Sequence, residues 1–549
     1  MTNHAPRRTP WDAIAPFFML LFPLLGFLRY HGYGLERTEA WMAVGFVSAI
    51  AAACGVVALV VGPLARVVLY MLLMLVFLDT QLRLGDDGVA AVVAHWGLPM
   101  LGAFTWLVLM GLLFVMGALR LHLGFVLSAV FGVMTAGLFG LPADHKAAGD
   151  LYDKGVAGDA ALAPVVHLIL DEHIGPAGMP GDVAGGAETA AYVRDFYADR
   201  GFVVHGRAYS EYAQTFDSVP NLMQGSRTVL HGGRVEKQGA SFIAQDNAWF
   251  DKLAADGYAL RVYQSDYLNL CGQASIAYCF SYPTNGIAPI RDLDIPAAIK
   301  TRLIVGMFYK DTVSYRIANL ADESFGGRLS AAVLPESWRG GAPGEPQLSP
   351  VATVPVIDRL IRDIRAHPRG TAFVAHLMLP HFSYQYDREC RLKPDFRTWL
   401  NRTRDLVTND EASRRERYEA YLEQVRCATK QMDRVFAALK DAGAWDAATV
   451  ILHGDHGSRI SIATLGSPDV ADFTDRDLVD LHSTFIAVKT AGRDGGHDGR
   501  QRSIRAIFAE TVGLDADPDA TPPGLLFASH STQHKTPMIP VRMPELPDP

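Results

Sequence analysis

Three short apolar segments of this sequence each run into a carboxylate or an imidazole. These side chains are Asp171 and Glu172 after the first segment, His381 after the second, and Asp455 and His456 after the third. Carboxylate oxygens and imidazole nitrogens together form a ligand set that suits Zn²⁺, with Mn²⁺ as the alternative. The set contains no cysteine, which is typical of a catalytic metal site rather than a structural one. Taken singly, each residue also has an ordinary explanation as a helix cap, a turn or a core histidine.

A hydroxyl that such a metal could activate lies in the stretch 215–220, which reads TFDSVP. Thr215 lies at or just before a predicted helix start, since proline is tolerated in the first helical turn. A helix N-terminus offers backbone N–H groups and the positive end of its dipole to a phosphate or sulfate. A metal ion bound to the Thr215 oxygen would make it a competent nucleophile. The alternative is that Thr215 and Ser218 are ordinary capping residues.

Short buried strands that alternate with helices would position these side chains. A helix is predicted over 411–442, because apolar residues recur there at spacings of three and four and Gly443 follows. This alternation predicts an α/β domain with a mainly parallel central sheet, which binds ligands at the carboxyl ends of its strands. His482 begins the fourth strand segment instead of ending it. The strands are predicted at 164–170, 372–380, 448–455 and 483–489.

The composition divides the chain into an apolar part and a soluble part. Residues 1–141 contain seven arginines, no lysine and six acidic residues, which is the composition of a membrane domain. Residues 142–163 are predicted to be a linker, and residues 164–549 a catalytic domain. The net charge of −8 argues against nucleic acid as a partner, because nucleic acid requires a basic face. We expect a monomer that acts on membrane lipids.

Hydrophobic segments of about 20 residues indicate a five-helix transmembrane domain. No small-residue cleavage site follows the first segment, which argues against a signal peptide. With the N-terminus inside, the inner segments hold four arginines and the outer loops three, so the positive-inside bias is weak. An odd number of spans places residues 142–549 outside the cytoplasm. The spans are predicted at 13–30, 40–62, 64–82, 98–119 and 121–141.

Cysteine usage agrees with an extracytoplasmic catalytic domain. Cys54 lies in a predicted span, whereas the other four cysteines lie in the soluble part. Cys271 and Cys279 bracket a short loop, which predicts a disulfide in an oxidising compartment. The alternative is a pair of free thiols. A second pairing, of Cys390 with Cys427, is a weaker prediction.

These residues together resemble the alkaline phosphatase superfamily in its sulfatase-like branch. Within it, the chain is similar to the membrane-anchored phosphoethanolamine transferases that decorate lipid A. Those enzymes have five N-terminal spans, an extracytoplasmic catalytic domain and about this length. Segment 416–457, which reads ERYEAYLEQVRCATKQMDRVFAALKDAGAWDAATVILHGDHG, is similar to the helix, strand and metal loop of the whole branch.

The resemblance implies a role for each candidate residue. Thr215 matches the threonine nucleophile of a T-x-x-S-V-P stretch, and Glu172 matches the first metal carboxylate, with Asp171 as its neighbour. The Asp-His-Gly motif implies that two further residues are metal ligands, and the spacing of one cysteine pair matches a disulfide found in that group. The substrate-side histidines would be His381 and His482. The residues carried over from these last motifs are Asp455, His456, Cys271 and Cys279.

The sequence departs from those transferases at several positions. Ala213 and Asn221 replace the cysteines that usually flank the nucleophile stretch, and Ser458-Arg459 replaces the usual Glu-Ser after Asp-His-Gly. The interval from His456 to His482 is also long. The stretch lacks the arginine of the C/S-x-P-x-R motif, and threonine cannot be converted to formylglycine. An ordinary arylsulfatase is therefore not expected.

The resulting hypothesis is a metal-dependent transferase on the periplasmic side of the bacterial inner membrane. It would move a phosphoethanolamine-type substituent from a phospholipid to an envelope lipid or glycan through a covalent intermediate on Thr215. The alternatives are a phosphoglycerol transferase, or a hydrolase of phosphoric or sulfuric esters at the same metal site. A scaffold or sensor built on a degenerate fold is disfavoured by the intact candidate set. A transporter is disfavoured because the spans hold almost no charge.

Overall fold

The chain forms two compact units, which a computed structural model describes. The first, here called the N-terminal unit, comprises Met1–Ala147 with Gly286–Gly340. The second, here called the catalytic unit after the domain predicted there, comprises Ala148–Asn285 with Gly341–Pro549. The described residues are 9–82, 111, 123–140, 149–238, 241–284, 286–310, 312, 328, 347–402, 410–460, 473–515, 524–528 and 535–548.

The α-helices of the described residues are numbered in chain order, and α1–α4 with α8 belong to the N-terminal unit. They are α1 (Trp11–Tyr30), α2 (Thr38–Val60), α3 (Pro63–Leu82), α4 (Leu123–Gly140), α5 (Gly186–Ala198), α6 (Thr215–Gln224), α7 (Ala248–Ala255), α8 (Ala297–Tyr309), α9 (Ser349–Ala366), α10 (Glu411–Asp441), α11 (Asp475–His482) and α12 (Ile504–Val512).

Helices α1, α2 and α3 are long and apolar enough to cross a membrane, and α4 is a shorter apolar helix. They correspond to the first, second, third and fifth predicted spans. The predicted span 98–119 lies outside the described residues, apart from Gly111. A buried ion pair joins two of these helices, because the Arg66 guanidinium donates to Asp12 at 2.9 Å.

Two segments lie in a different unit from the one that the predicted domain boundaries give them. Strand Gly149–Asp153 lies in the range predicted as a linker and pairs with strand Ile276–Tyr282 of the catalytic unit. Helix α8 lies in the range predicted as catalytic domain but packs on α2, where the Thr301 hydroxyl donates to the Glu39 carbonyl at 3.2 Å. The apolar side chains of α8 are buried within the N-terminal unit, which accounts for its place there.

The strands of the catalytic unit form a sheet of nine strands and three small sheets. They are β1 (Gly149–Asp153), β2 (Val165–Leu170), β3 (Val203–His205), β4 (Ala208–Tyr209), β5 (Val235–Gln238), β6 (Ser241–Ala244), β7 (Ala259–Ser265), β8 (Leu268–Asn269), β9 (Ile276–Tyr282), β10 (Thr371–Leu377), β11 (Thr449–Gly454), β12 (Ile486–Lys489), β13 (Gly496–Asp498), β14 (Arg502–Ser503), β15 (Leu525–Ala528) and β16 (Ile539–Arg542).

The large sheet is mainly parallel, as the sequence predicted. Its order is β1-β9-β7-β10-β2-β11-β12-β3-β13, and the five strands from β9 to β11 run parallel to one another. Strand β12 runs antiparallel to β11, so the fourth predicted strand does not end at the same edge as the others. The edge at the ends of β10, β2 and β11 therefore collects the candidate site residues.

Helices cover both faces of this sheet and enclose two apolar cores. On one face, Leu168 and Leu452 pack with residues of α9 and α10. On the other face, Ile169 and Ile451 pack with residues of α6, α7 and α12. Because successive strand residues point to opposite faces, the mainly apolar strands β2 and β11 bury side chains in both cores. The rigid layers fix the positions of the loops that follow each strand.

Two histidines form a buried pair on the α12 face of the sheet. The Nε2 atoms of His167 in β2 and His453 in β11 lie 2.8 Å apart, and both rings pack near Phe508. His453 Nδ1 lies 2.7 Å from the Gly454 carbonyl, so it donates there and its Nε2 accepts from His167. Burial lowers the pKa of His167 well below its ordinary value and lowers the pKa of His453 to about 4. Both rings are therefore neutral at pH 7.

This pair predicts acid sensitivity of the fold. In the unfolded chain these histidines bind protons below about pH 6.5, whereas in the folded pair they do not. The free energy of unfolding therefore falls as the pH drops below about 6.5, by about 1.4 kcal/mol per pH unit for each histidine. We expect the denaturant midpoint of the full-length protein to fall between pH 7.5 and pH 5.5. The double variant His167→Leu/His453→Leu should fall less steeply. An identical pH slope in both proteins would contradict this expectation.

Candidate active site

Strand ends bring two carboxylates and an imidazole together. Asp171 follows β2, while Asp455 and His456 follow the neighbouring parallel strand β11. The Nε2 atom of His456 lies 3.1 Å from Asp455 Oδ2 and 4.0 Å from Asp171 Oδ1. All three side chains are completely or almost completely buried. The geometry therefore groups these three predicted residues in one buried cluster.

Thr215 directs its hydroxyl at this cluster. It is the first residue of α6, and its Oγ1 lies 3.4 Å from Asp171 Oδ2 and 3.3 Å from His456 Nε2. The N-cap of α6 is Gln214, whose side chain makes no capping hydrogen bond. The capping alternative for Thr215 thus does not apply, and the positive end of the helix dipole lies at this hydroxyl.

Ser218, in contrast to Thr215, makes hydrogen bonds that hold α6 in place. Its hydroxyl donates to the Asp455 carbonyl at 2.6 Å and lies 3.0 Å from the Ser210 hydroxyl. These contacts join α6 to the loop that follows β11. Of the two hydroxyl side chains in the TFDSVP stretch, the hydroxyl of Thr215 is the one that faces the carboxylates.

The cluster has the donor set of a divalent metal site. Asp171 Oδ1 and Asp455 Oδ2 are buried oxygens without a hydrogen-bond partner in the described part of the chain. The Nδ1 atom of His456 lies 2.9 Å from the Gly457 carbonyl, so it carries the proton and the Nε2 lone pair faces the carboxylates. Buried acceptors that face one another repel unless a cation lies among them. These residues fit Zn²⁺, which binds carboxylate oxygen and imidazole nitrogen.

The electrostatics keep Asp455 ionised. Burial alone would raise the pKa of this carboxyl, but the neighbouring His456 imidazole and further contacts outweigh burial. The net effect holds the pKa of Asp455 well below its ordinary value. A carboxylate that stays ionised in a buried place is suited to bind a metal ion.

Glu172 occupies a different environment from the one that the resemblance implies. Its Oε1 accepts from Arg459 Nε at 3.0 Å and from Arg402 Nη1 at 3.0 Å. Burial would raise the pKa of Glu172, but His381, Arg459 and Arg402 lower it to about 2. The side chain that reaches Thr215 is that of Asp171, whereas the Glu172 carboxylate reaches the two arginines.

His376 is a site residue that the sequence analysis missed. It lies within β10, and its Nε2 is 3.0 Å from Asp171 Oδ2. Ligand atoms of Asp171, His376 and Asp455 all lie within 4.8 Å of one another, as do those of Asp171, Glu172 and His381. A lone histidine inside an apolar strand was the available signal, but His167 and His453 show the same pattern away from the site. His376 and His453 lie in the same register on either side of Ile169, so only the direction of each ring, toward Asp171 or toward His167, separates these cases.

The two predicted substrate-side histidines lie on separate elements of the fold. His381 follows β10, and its Nε2 is 3.7 Å from Glu172 Oε1. His482 is the last residue of α11, not the start of a strand, and its Nδ1 is 3.0 Å from the Ser210 carbonyl. Burial lowers the pKa of His381 and lowers the pKa of His482 to about 4. Both are therefore neutral imidazoles at pH 7.

Helix α10 braces the three loops that carry the site. The Tyr421 hydroxyl donates to the Glu172 carbonyl at 2.6 Å, and the Tyr418 hydroxyl lies 2.9 Å from that of Ser458. The Gln424 amide donates to the His381 carbonyl at 2.6 Å. The spacing of three between these helix residues places them on one face. The long helix predicted from periodicity therefore orients the site as well as filling the core.

Two disulfides cross-link the catalytic unit. Cys271 is bonded to Cys279, and Cys390 is bonded to Cys427. The second bond attaches the loop after β10 to α10, the helix that braces the site. Cys54, in α2, is a free thiol.

The catalytic unit is thus a sulfatase-type α/β domain with a threonine at its candidate metal centre. The family model named Sulfatase matches residues 194–481, just over half of the chain. The chain belongs to the sulfatase family, in the sulfatase-like branch of the alkaline phosphatase superfamily, and is an enzyme. No curated protein matches the sequence significantly.

The chain is also similar to solved structures, at low sequence identity and with TM-scores below 0.5. The C-terminal periplasmic domain of EcEptC from Escherichia coli is 10% identical, with 71% of this chain and 94% of that chain covered at a TM-score of 0.38. The phosphonate monoester hydrolase of Agrobacterium radiobacter is 13% identical, with 67% and 80% covered at 0.37. The putative sulfatase yidJ from Bacteroides fragilis is 14% identical, with 67% and 78% covered at 0.38.

Proposed function

We propose that this protein transfers a phosphoethanolamine-type substituent from a phospholipid to an envelope lipid or glycan. The observation that carries the proposal is the Thr215 hydroxyl, which lies at a helix N-terminus within 3.4 Å of Asp171 and His456. A threonine in this place can form a phosphate ester, and the helix N-terminus favours the anionic group that is transferred.

Asp171, Asp455, His456 and Thr215 would hold the metal, which we propose to be Zn²⁺ with Mn²⁺ as the alternative. A divalent cation there would supply Lewis-acid stabilisation of the charge that develops on the transferred group. The unpartnered oxygens of Asp171 and Asp455 support this ligand set. We propose that Asp171 is the first metal carboxylate, in place of Glu172.

The proposed reaction has two balanced steps. In the first, Thr215 Oγ1 forms a bond to phosphorus, the bond from phosphorus to the diacylglycerol oxygen breaks, and the threonine proton passes overall to that oxygen. In the second, an acceptor hydroxyl attacks phosphorus, the threonine ester breaks, and the acceptor proton returns to Thr215. The neutral imidazoles of His381 and His482 donate from Nδ1 to the Phe382 and Ser210 carbonyls, so their Nε2 atoms would bind the substrate by accepting from a hydroxyl or ammonium group.

We place this reaction on the periplasmic side of the inner membrane of a bacterium, in a monomer with several spans. Three helices long enough to cross a membrane support the anchoring. Two disulfides in the catalytic unit support an oxidising compartment for it. Both proposed lipid substrates are found in the envelope.

Mass spectrometry of envelope lipids and glycans tests the proposal. Cells that express the wild-type protein should gain a phosphoethanolamine-modified component that cells expressing Thr215→Ala lack. The purified zinc-loaded enzyme should consume phosphatidylethanolamine and release diacylglycerol when the acceptor is present. If both cell types have the same envelope composition and phosphatidylethanolamine is not consumed, this transferase function is wrong.

An ester hydrolase at the same site is the second candidate, since the family model is that of the sulfatases. In that case water would take the place of the acceptor in the second step. Steady release of free phosphoethanolamine or sulfate without any acceptor would favour the hydrolase. A single turnover that stops at the threonine ester would favour the transferase.

A further inference from the structure

Two arginines converge on one buried carboxylate beside the candidate nucleophile. Arg459 and Arg402 both donate to Glu172 Oε1. Arg459 Nη1 also lies 3.3 Å from Gln214 Oε1, on the residue that precedes Thr215. Neither arginine belongs to the predicted site, and Arg459 stands where the resembling transferases have Ser.

The local charges leave an excess of positive charge. The two guanidinium groups carry two positive charges, and Glu172 matches one of them. If Asp171 and Asp455 match a divalent cation, the site as a whole keeps one positive charge. A ligand with a single negative charge would neutralise it.

The two arginines differ in what they offer to a ligand. The side chain of Arg459 is 7% exposed, and its guanidinium donates hydrogen bonds to the Glu172 and Gln214 side chains and to the Ala213 carbonyl. The side chain of Arg402 is 29% exposed, and its hydrogen bond within the described residues is the one from Nη1 to Glu172. Its guanidinium lies 4.6 Å over the Phe382 ring, which limits its orientations. Because 29% of its side chain is exposed, Arg402 can offer N–H donors to a ligand from this fixed place.

We propose that Arg402, held by Glu172 and Arg459, is an anion-binding residue for a tetrahedral ester with one negative charge. A phosphodiester and a sulfate monoester share this chemistry. The inference rests on the proposed function, because it places the ester of the transferred group beside Thr215. Arg402 contacts the substrate, whereas Glu172 and Arg459 are positioning residues that act through it.

Equilibrium binding tests this subsite without turnover. The probes are bis(4-nitrophenyl) phosphate and 4-nitrophenyl sulfate, added to full-length zinc-loaded Thr215→Ala protein by titration calorimetry. Adding Arg402→Gln to this protein should weaken binding of at least one probe about 10-fold to 100-fold, since a charge-assisted hydrogen bond contributes about 1.5–3 kcal/mol. The probe with the larger loss identifies the phosphodiester or the sulfate as the ligand.

Matched variants separate binding from folding. Arg402→Lys should recover part of the lost affinity, and Arg391→Gln, at an arginine whose side chain is 76% exposed, should leave affinity unchanged. Zinc content and the unfolding temperature should be the same in all variants. Equal affinity in Arg402→Gln and its parent for both probes would overturn the inference. That result would leave the role of Thr215 intact, which its own substitution tests separately.

Discussion

Replacing Thr215 with alanine is expected to lower the rate of ester transfer about 10³-fold or more while zinc stays bound. The substitution removes the hydroxyl that faces Asp171 and His456 but leaves both of those side chains in place. Loss of a nucleophile removes the covalent route altogether, so the effect falls on the chemical step rather than on substrate binding. Initial rates with phosphatidylethanolamine, together with zinc content by atomic emission, measure both quantities.

Thr215→Ser is the matched control, because it keeps a hydroxyl at the start of α6. It should retain part of the activity and, with the donor lipid but no acceptor, should still gain the mass of the transferred group. Intact-mass analysis should find this adduct on the wild type and not on Thr215→Ala. Substantial metal-dependent activity in Thr215→Ala would show that water or another group is the nucleophile.

Asp171→Ala is expected to lower zinc affinity about 100-fold or more, whereas Glu172→Gln should keep zinc. Asp171 has an unpartnered buried oxygen that faces His456, while Glu172 Oε1 accepts from two arginines. Removing a metal ligand takes away binding free energy directly, because the cation loses both charge and an oxygen. Competition with a zinc-binding dye, on the wild type and the two variants, gives the affinities.

Asp455→Ala sets the scale for this comparison, since Asp455 has the same kind of unpartnered oxygen. It should lose zinc to about the extent of Asp171→Ala. If Glu172→Gln released zinc and Asp171→Ala retained it, the ligand assignment would be the reverse of the one proposed.

Local sequence patterns were sufficient for the scaffold of the site. Apolar runs of strand length and a helix with spacings of three and four gave the mainly parallel sheet and α10, since burial of apolar side chains dictates both patterns. The strand-end rule then placed Asp171, Asp455 and His456 at one edge. The same patterns did not assign α8 to the N-terminal unit, because the sequence of an apolar helix does not indicate which unit it packs against.

What the sequence determined by itself was which chemistry is available: carboxylates and an imidazole at strand ends, a threonine at a helix start, and apolar helices before them. What only the tertiary structure decided was the direction of each side chain. Asp171 and Glu172 are adjacent and both carry a carboxylate, and the left-handed backbone at Glu172, with φ of 63°, turns its carboxylate toward Arg402 and Arg459. Those arginines are 230 and 287 residues away along the chain. Contacts between residues so distant in sequence follow from packing, which no local pattern encodes.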